Sequence, residues 1–170
     1  MKKKIVYCLI LFCAIILQTS ILPLISPMYA TGDILLMFIL VGAILDGFFA
    51  FFSWAIFAGI VYDLVSYTPV GVHALIFLLV VYFVSFFSRR FSVELRGIGL
   101  VLFLIFVIVA TLLSRSVIVI MTTWNPQMLS FNWNVFGNFS VISVQIFSNM
   151  VLFFLTFIVL RKTKKFFSIE

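Results

Sequence analysis

The chain has 170 residues, of which 65% are hydrophobic and only 9% charged, with 23 Phe, a formal net charge of +6 and a mean hydropathy of +1.36. Soluble domains carry about 25% charged residues, so this balance excludes one and makes the bilayer the solvent. The basic residues sit at the two ends and in one loop, so the positive charge reads as a topology signal and not as a nucleic-acid surface.

Lys2-Lys3-Lys4 open the chain and an apolar run follows over 5–25. The start resembles a signal peptide, but cleavage after Ala30 would place bulky Met28 at a small-residue position. A lipoprotein reading of Cys13 fails because Phe12 precedes it. Cys8 and Cys13 stand roughly 140° apart on a helix, which suits neither a disulfide nor a metal site. They read as small apolar fillers.

Further apolar runs cover 34–65, 72–88, 97–121 and 139–160. A spanning helix needs about 20 residues, so 5–25, 72–88, 97–121 and 139–160 each count as one span. The 34–65 run has 32 residues, about 48 Å as one helix at ~1.5 Å per residue. That is too long for one crossing and short for two. Asp46-Gly47 near its middle is a turn signal. If the run crosses once, the basic 89–96 loop and the C-terminal Arg161–Lys165 cluster lie opposite the N-terminal lysines. If it crosses twice as a tight hairpin, ten of the eleven Lys and Arg fall on one side and the loops 26–32, 66–71 and 122–138 hold none. The positive-inside rule selects the hairpin. The expected fold is therefore an all-α membrane protein of six transmembrane helices, both termini cytoplasmic, forming a single domain over 1–170. The first hairpin helix, about 33–46, is short. It must thin the bilayer or be shielded by its neighbours. Tyr29, Tyr62, Tyr67, Trp124 and Trp133 then fall near the outer interface and Tyr7 near the inner one. The uncharged loop 122–138 is expected along the outer surface or over the bundle.

This topology brings polar groups from five helices to one level, the outer leaflet: Gln18, Thr19 and Ser20; Asp63; His73; Arg115; and Ser140, Ser143 and Gln145. Ionisable groups next to hydrocarbon cost on the order of 2.5–3.5 kcal/mol each at mid-bilayer, so they mark a task. Three readings stay open. Asp63 and Arg115 pair in the bundle while His73 caps the pair or snorkels and the hydroxyls bond back to their own helices. The groups line an outward pocket. Or they form a patch for a partner. Asp33, after Thr31-Gly32 and before Ile34-Leu35-Leu36, is an N-cap placement. Asp46 is expected to close the hairpin turn. Pro69 and Gly71 set the next turn, Pro by fixing φ and Gly by allowing φ > 0.

Catalysis finds little support. Ser66, Asp63 and His73 are near in sequence, but no G-x-S-x-G elbow is present. One His and no ligand-spaced Cys pair argue against zinc, and no Gly-rich phosphate loop is present. A proton or ion carrier would be expected to show related halves or broken helices, and neither is visible.

Gly59, Asp63 and the turn Thr68-Pro69-Val70-Gly71-Val72-His73-Ala74-Leu75 resemble the MreD family of rod shape-determining proteins. Leu17-Gln18-Thr19, Gly32-Asp33-Ile34-Leu35-Leu36 and both basic ends extend the likeness over most of the chain. Two departures fall in the first hairpin. Gly32 stands where the family commonly has Pro, and Asp46-Gly47 where a basic residue is common. The resemblance implies a non-enzymatic protein of the bacterial cytoplasmic membrane without cofactor or metal. It implies MreC as direct partner, and MreB, RodA and a class B penicillin-binding protein within a complex for lateral peptidoglycan synthesis. Membrane lipid is the remaining partner, and nucleic acid is not one. Asp63, His73, Arg115, Pro69, Gly71 and Gln18 are the candidate partner- or pocket-binding residues. The six-helix pattern is also similar to substrate-binding subunits of energy-coupling-factor importers. That gives the competing expectation of a vitamin- or metal-binding importer subunit.

Overall fold

Backbone N–H and C=O groups find no water in hydrocarbon, so a spanning segment must close its bonds internally. The computed structural model describes residues 2–25, 32–66, 68–88, 98–124 and 138–166, and among them every element is a helix. The first rod is α1 (Lys2–Ile16), a π-helical turn (Leu17–Ile21) and a closing turn α2 (Leu22–Ile25). Five helices follow: α3 (Ile34–Asp46), α4 (Phe48–Ser66), α5 (Val72–Ser88), α6 (Ile98–Trp124) and α7 (Phe139–Phe166). Tyr29, Tyr67, Trp133, the basic 89–96 segment and most of the 122–138 loop lie outside the described residues.

The long 34–65 run does break at Asp46-Gly47. Gly47 takes φ 82°, a conformation that disfavours any side chain, and its N–H closes on the Ala43 carbonyl at 3.0 Å. The hairpin arms are unequal, with 13 residues in α3 and 19 in α4. The four helices long and apolar enough to cross a membrane are the first rod, α4, α6 and α7. The run 72–88 was expected to be among them. It gives α5 over the expected bounds, Val72–Ser88, a shorter apolar helix of 17 residues.

The short α3 is the axis of the bundle. Residues 35 to 43 are buried on every side, and the first rod, α4, α5, α6 and α7 all pack on it. Of the two ways to accommodate a short helix, shielding by neighbours is the one observed. Two glycines permit the closest approaches. A Cβ on Gly42 would lie 1.9 Å from the Phe51 ring, and one on Gly59 would lie 2.2 Å from the Ala74 backbone. Tyr7, Phe38 and Phe51 fill the space beside Gly42, with ring centroids 5.5 to 6.3 Å apart. Cys8 and Cys13 are not fillers of this core. Both are exposed free thiols on the outside of the first rod, because the face that packs on α3 carries Tyr7, Leu11, Ala14 and Ile15.

Pairings at the two ends fix the helix directions. At one end, Asp46 accepts from the Tyr7 hydroxyl at 2.5 Å and from Lys164 Nζ at 2.7 Å. Lys164 also reaches the Leu45 carbonyl at 3.3 Å. Asp46 therefore ties the first rod, the hairpin and α7 together. Asp46 stands at the turn as expected, where α3 ends and the Gly47 N–H bonds the Ala43 carbonyl. The start of the first rod and the end of α7 share this end of the bundle, as a hairpin requires. The opposite end carries the polar groups described next.

Candidate functional site

Asp63 lies in the last turn of α4 and is fully buried. Its carboxylate accepts from the N–H of Gly71 at 2.7 Å, the N–H of His73 at 3.1 Å and the Thr68 hydroxyl at 2.9 Å. His73 Nδ1 lies 2.6 Å from Asp63 Oδ1. A carboxylate is acceptor-only, so Nδ1 carries the hydrogen in this bond. The helix α5 begins with backbone donors that have no intrahelical partner, and its dipole favours negative charge there. Asp63 meets both needs from another helix. Gly71 makes the geometry possible with φ 105°, and Pro69 accepts from the Val72 N–H at 3.2 Å. The Tyr62 ring stands edge-on to the imidazole at 4.6 Å between centroids.

The expected pairing of Asp63 with Arg115 is not formed. Asp63 spends its acceptor capacity on the corner between α4 and α5, where His73 is its side-chain neighbour. Arg115 Nη1 instead donates to Gln145 Oε1 at 2.5 Å, joining α6 to α7. His73 neither caps an ion pair nor snorkels. It is buried against Tyr62 and Phe77.

A second knot lies at the same level. Asp33 caps α3 as its position predicts, accepting from the Leu36 N–H at 2.9 Å. Asn149 of α7 accepts from the Asp33 N–H at 2.7 Å and donates to Thr111 of α6 at 2.9 Å. Gln18 accepts from the Ile34 N–H at 2.8 Å and donates to the Gly32 carbonyl at 3.2 Å. It does so from the π-helical turn, where the extra residue per turn rotates it toward α3. Gln18, Asp33, Asp63, His73, Thr111 and Asn149 thus draw on all six rods.

Other polar groups bond back to their own helices. Thr19 donates to Ile15 and Ser143 to Phe139. Ser140 and Ser20 are exposed and outside the knots. Ser66 Oγ donates to the Tyr62 carbonyl at 2.7 Å and lies 3.0 Å from the Thr68 hydroxyl. Its hydroxyl is thus turned away from the geometry a Ser-His-Asp nucleophile requires. Among the described residues no group of three His, Cys, Asp or Glu side chains is placed to hold a metal.

Sequence reasoning missed Asn149, Thr111 and the Tyr7–Asp46–Lys164 node. One signal was available for the first: an Asn in the middle of a charge-free apolar run must find a partner or be expelled.

A family model described as rod shape-determining protein MreD matches residues 1–163. The chain belongs to the MreD family. No curated protein and no solved structure matches it. MreD membership carries a role in bacterial rod-shape determination, and the apolar helices make this MreD a membrane protein. The knots hold an MreD bundle shut at one end, and the Asp46 node holds it at the other.

Proposed function

We propose that this protein is a non-enzymatic, multi-pass scaffold of the bacterial elongation complex in the cytoplasmic membrane. It binds MreC, and through it helps to hold MreB, RodA and a class B penicillin-binding protein where lateral peptidoglycan is made. The Asp46 end faces the cytoplasm with both termini, and the Asp63 end faces outward.

Three observations support the reading. The family match covers nearly the whole chain. With 34–65 crossing twice, the positive-inside rule favours a topology in which ten of eleven Lys and Arg are cytoplasmic. The third carries most weight: the outer polar groups form two hydrogen-bonded knots, one holding α4 to α5 with Asp63 accepting four bonds and one joining the first rod, α3, α6 and α7. Such a level makes a rigid platform. An importer subunit needs polar groups free to grip a ligand, and these are committed to the fold. Partner contact then falls on the rigid corner itself, where Val70 is 65% exposed between Pro69 and Gly71. In this reading Asp63, His73, Pro69 and Gly71 shape the corner, while Gln18 and Arg115 fix the rods behind it.

Depletion in the native host, followed by fluorescent labelling of new wall, tests the proposal. Dispersed wall incorporation with loss of rod or oval shape is expected. An unchanged labelling pattern contradicts it.

A further inference from the structure

The charge-free part of α7, residues 139–160, contains no Asp, Glu, Lys or Arg. It measures about 33 Å at ~1.5 Å per residue, close to the ~30 Å hydrocarbon thickness. Residues 161–166 therefore leave the hydrocarbon together and stand at headgroup depth. Lys164 is turned inward and held by Asp46 and the Leu45 carbonyl. Arg161, Lys162 and Lys165 are exposed, and among the described residues none of them has an acidic or hydrogen-bonding partner. At about 100° per residue these three share one arc of roughly 100° of the helix surface. Phe166, 82% exposed, continues the arc about 40° further round. Lys162, Thr163, Lys165 and Phe166 line an open cleft of about 710 Å³.

Topological sorting requires positive charge at this end, but it requires neither a single face nor an aromatic shoulder. Cations beside an exposed ring at the hydrocarbon boundary match the chemistry of an anionic headgroup, with phosphate on the cations and the ring at the acyl–glycerol level. We propose that the last turn and a half of α7 is a binding site for anionic phospholipid. Arg161, Lys162 and Lys165 hold the phosphodiester, and Phe166 rests at the acyl boundary. Arg161 supplies the forked, two-point contact. The Lys164–Asp46 pair sets the rotation of α7, so that the arc faces away from the bundle.

The full chain in nanodiscs of phosphatidylcholine, with and without phosphatidylglycerol, tests this through the lipid retained on transfer to detergent. Phosphatidylglycerol is expected to be retained over phosphatidylcholine. Lys162→Gln and Lys165→Gln are each expected to cut that preference about fivefold, from the ~1 kcal/mol that one basic residue gains near an anionic surface. The triple variant Arg161→Gln/Lys162→Gln/Lys165→Gln should abolish it, while the charge-matched Lys2→Gln/Lys3→Gln/Lys4→Gln variant keeps it. If the triple variant does not insert, the two single variants decide. Equal loss in both triple variants, or equal retention of the two lipids by the unaltered chain, overturns the site. Displacement of phosphatidylglycerol by millimolar inorganic phosphate overturns the lipid assignment in favour of a soluble anion.

Discussion

Asp63 and His73 act as one unit, and mutations at them should not add. Asp63→Ala strands the N–H groups of Gly71 and His73 and leaves the imidazole buried beside an empty site. We expect a loss of about 3 kcal/mol in a detergent unfolding assay, with His73→Ala costing little more once Asp63 is gone. Arg115→Ala removes a different bond, the one to Gln145. Its effect should therefore add to that of Asp63→Asn within about 0.5 kcal/mol. Strong coupling between Asp63 and Arg115 would restore the ion pair that the sequence suggested. Asn149→Leu leaves the Asp33 N–H and the Thr111 hydroxyl without their bonds across the bundle. A loss of about 1–3 kcal/mol is expected, although leucine suits an apolar helix better. At this scale the sequence was legible where the bond is local. Asp33 caps a helix three residues away, and Gly71 turns a chain whose neighbours are adjacent. It was not legible where partners are distant. Lys164 and Asp46 are separated by 118 positions, and Asn149 and Asp33 by 116.

Among the elements, α3 and its glycines decide whether the bundle closes. Gly42→Ala places a methyl group against the buried Phe51 ring, and Gly59→Ala places one against the backbone of α5. The Phe51 side chain can move, whereas the Ala74 backbone moves only with its whole helix. Gly59→Ala is therefore expected to be the costlier change, within the ~1–3 kcal/mol usual for overpacking. Gly47→Ala meets no neighbour within 4 Å, and its cost comes only from φ 82°. About 1 kcal/mol is expected there. Thermal unfolding of the three variants in one detergent checks the order. The hairpin could be read from Asp46-Gly47 and from charge. The central position of α3 could not, because a run that is apolar all round has no stripe to mark its inner face. The π-helical turn in the first rod was also silent, since its purpose is to aim Gln18 at a helix that begins 16 residues later.

The whole molecule is a bundle tied at both ends, by the Asp46 node at one and by the two knots at the other. Its six-helix class and single apolar body were legible from hydropathy and charge. Which polar residues meet was not, because packing and not spacing brings them together. Orientation is open to test with reporter fusions. Fusions after Gly47 and after Phe166 are expected to report cytoplasm, and one after Pro69 the outside. The scaffold account itself is tested most directly by purifying the tagged protein from native-host membranes in mild detergent and identifying what comes with it. The account predicts MreC in near-equal amount, lost when the Asp63–Gly71 corner is disrupted by Asp63→Ala in a variant that still reaches the membrane. Recovery of an ATPase module with a retained small molecule, and no MreC, would contradict it.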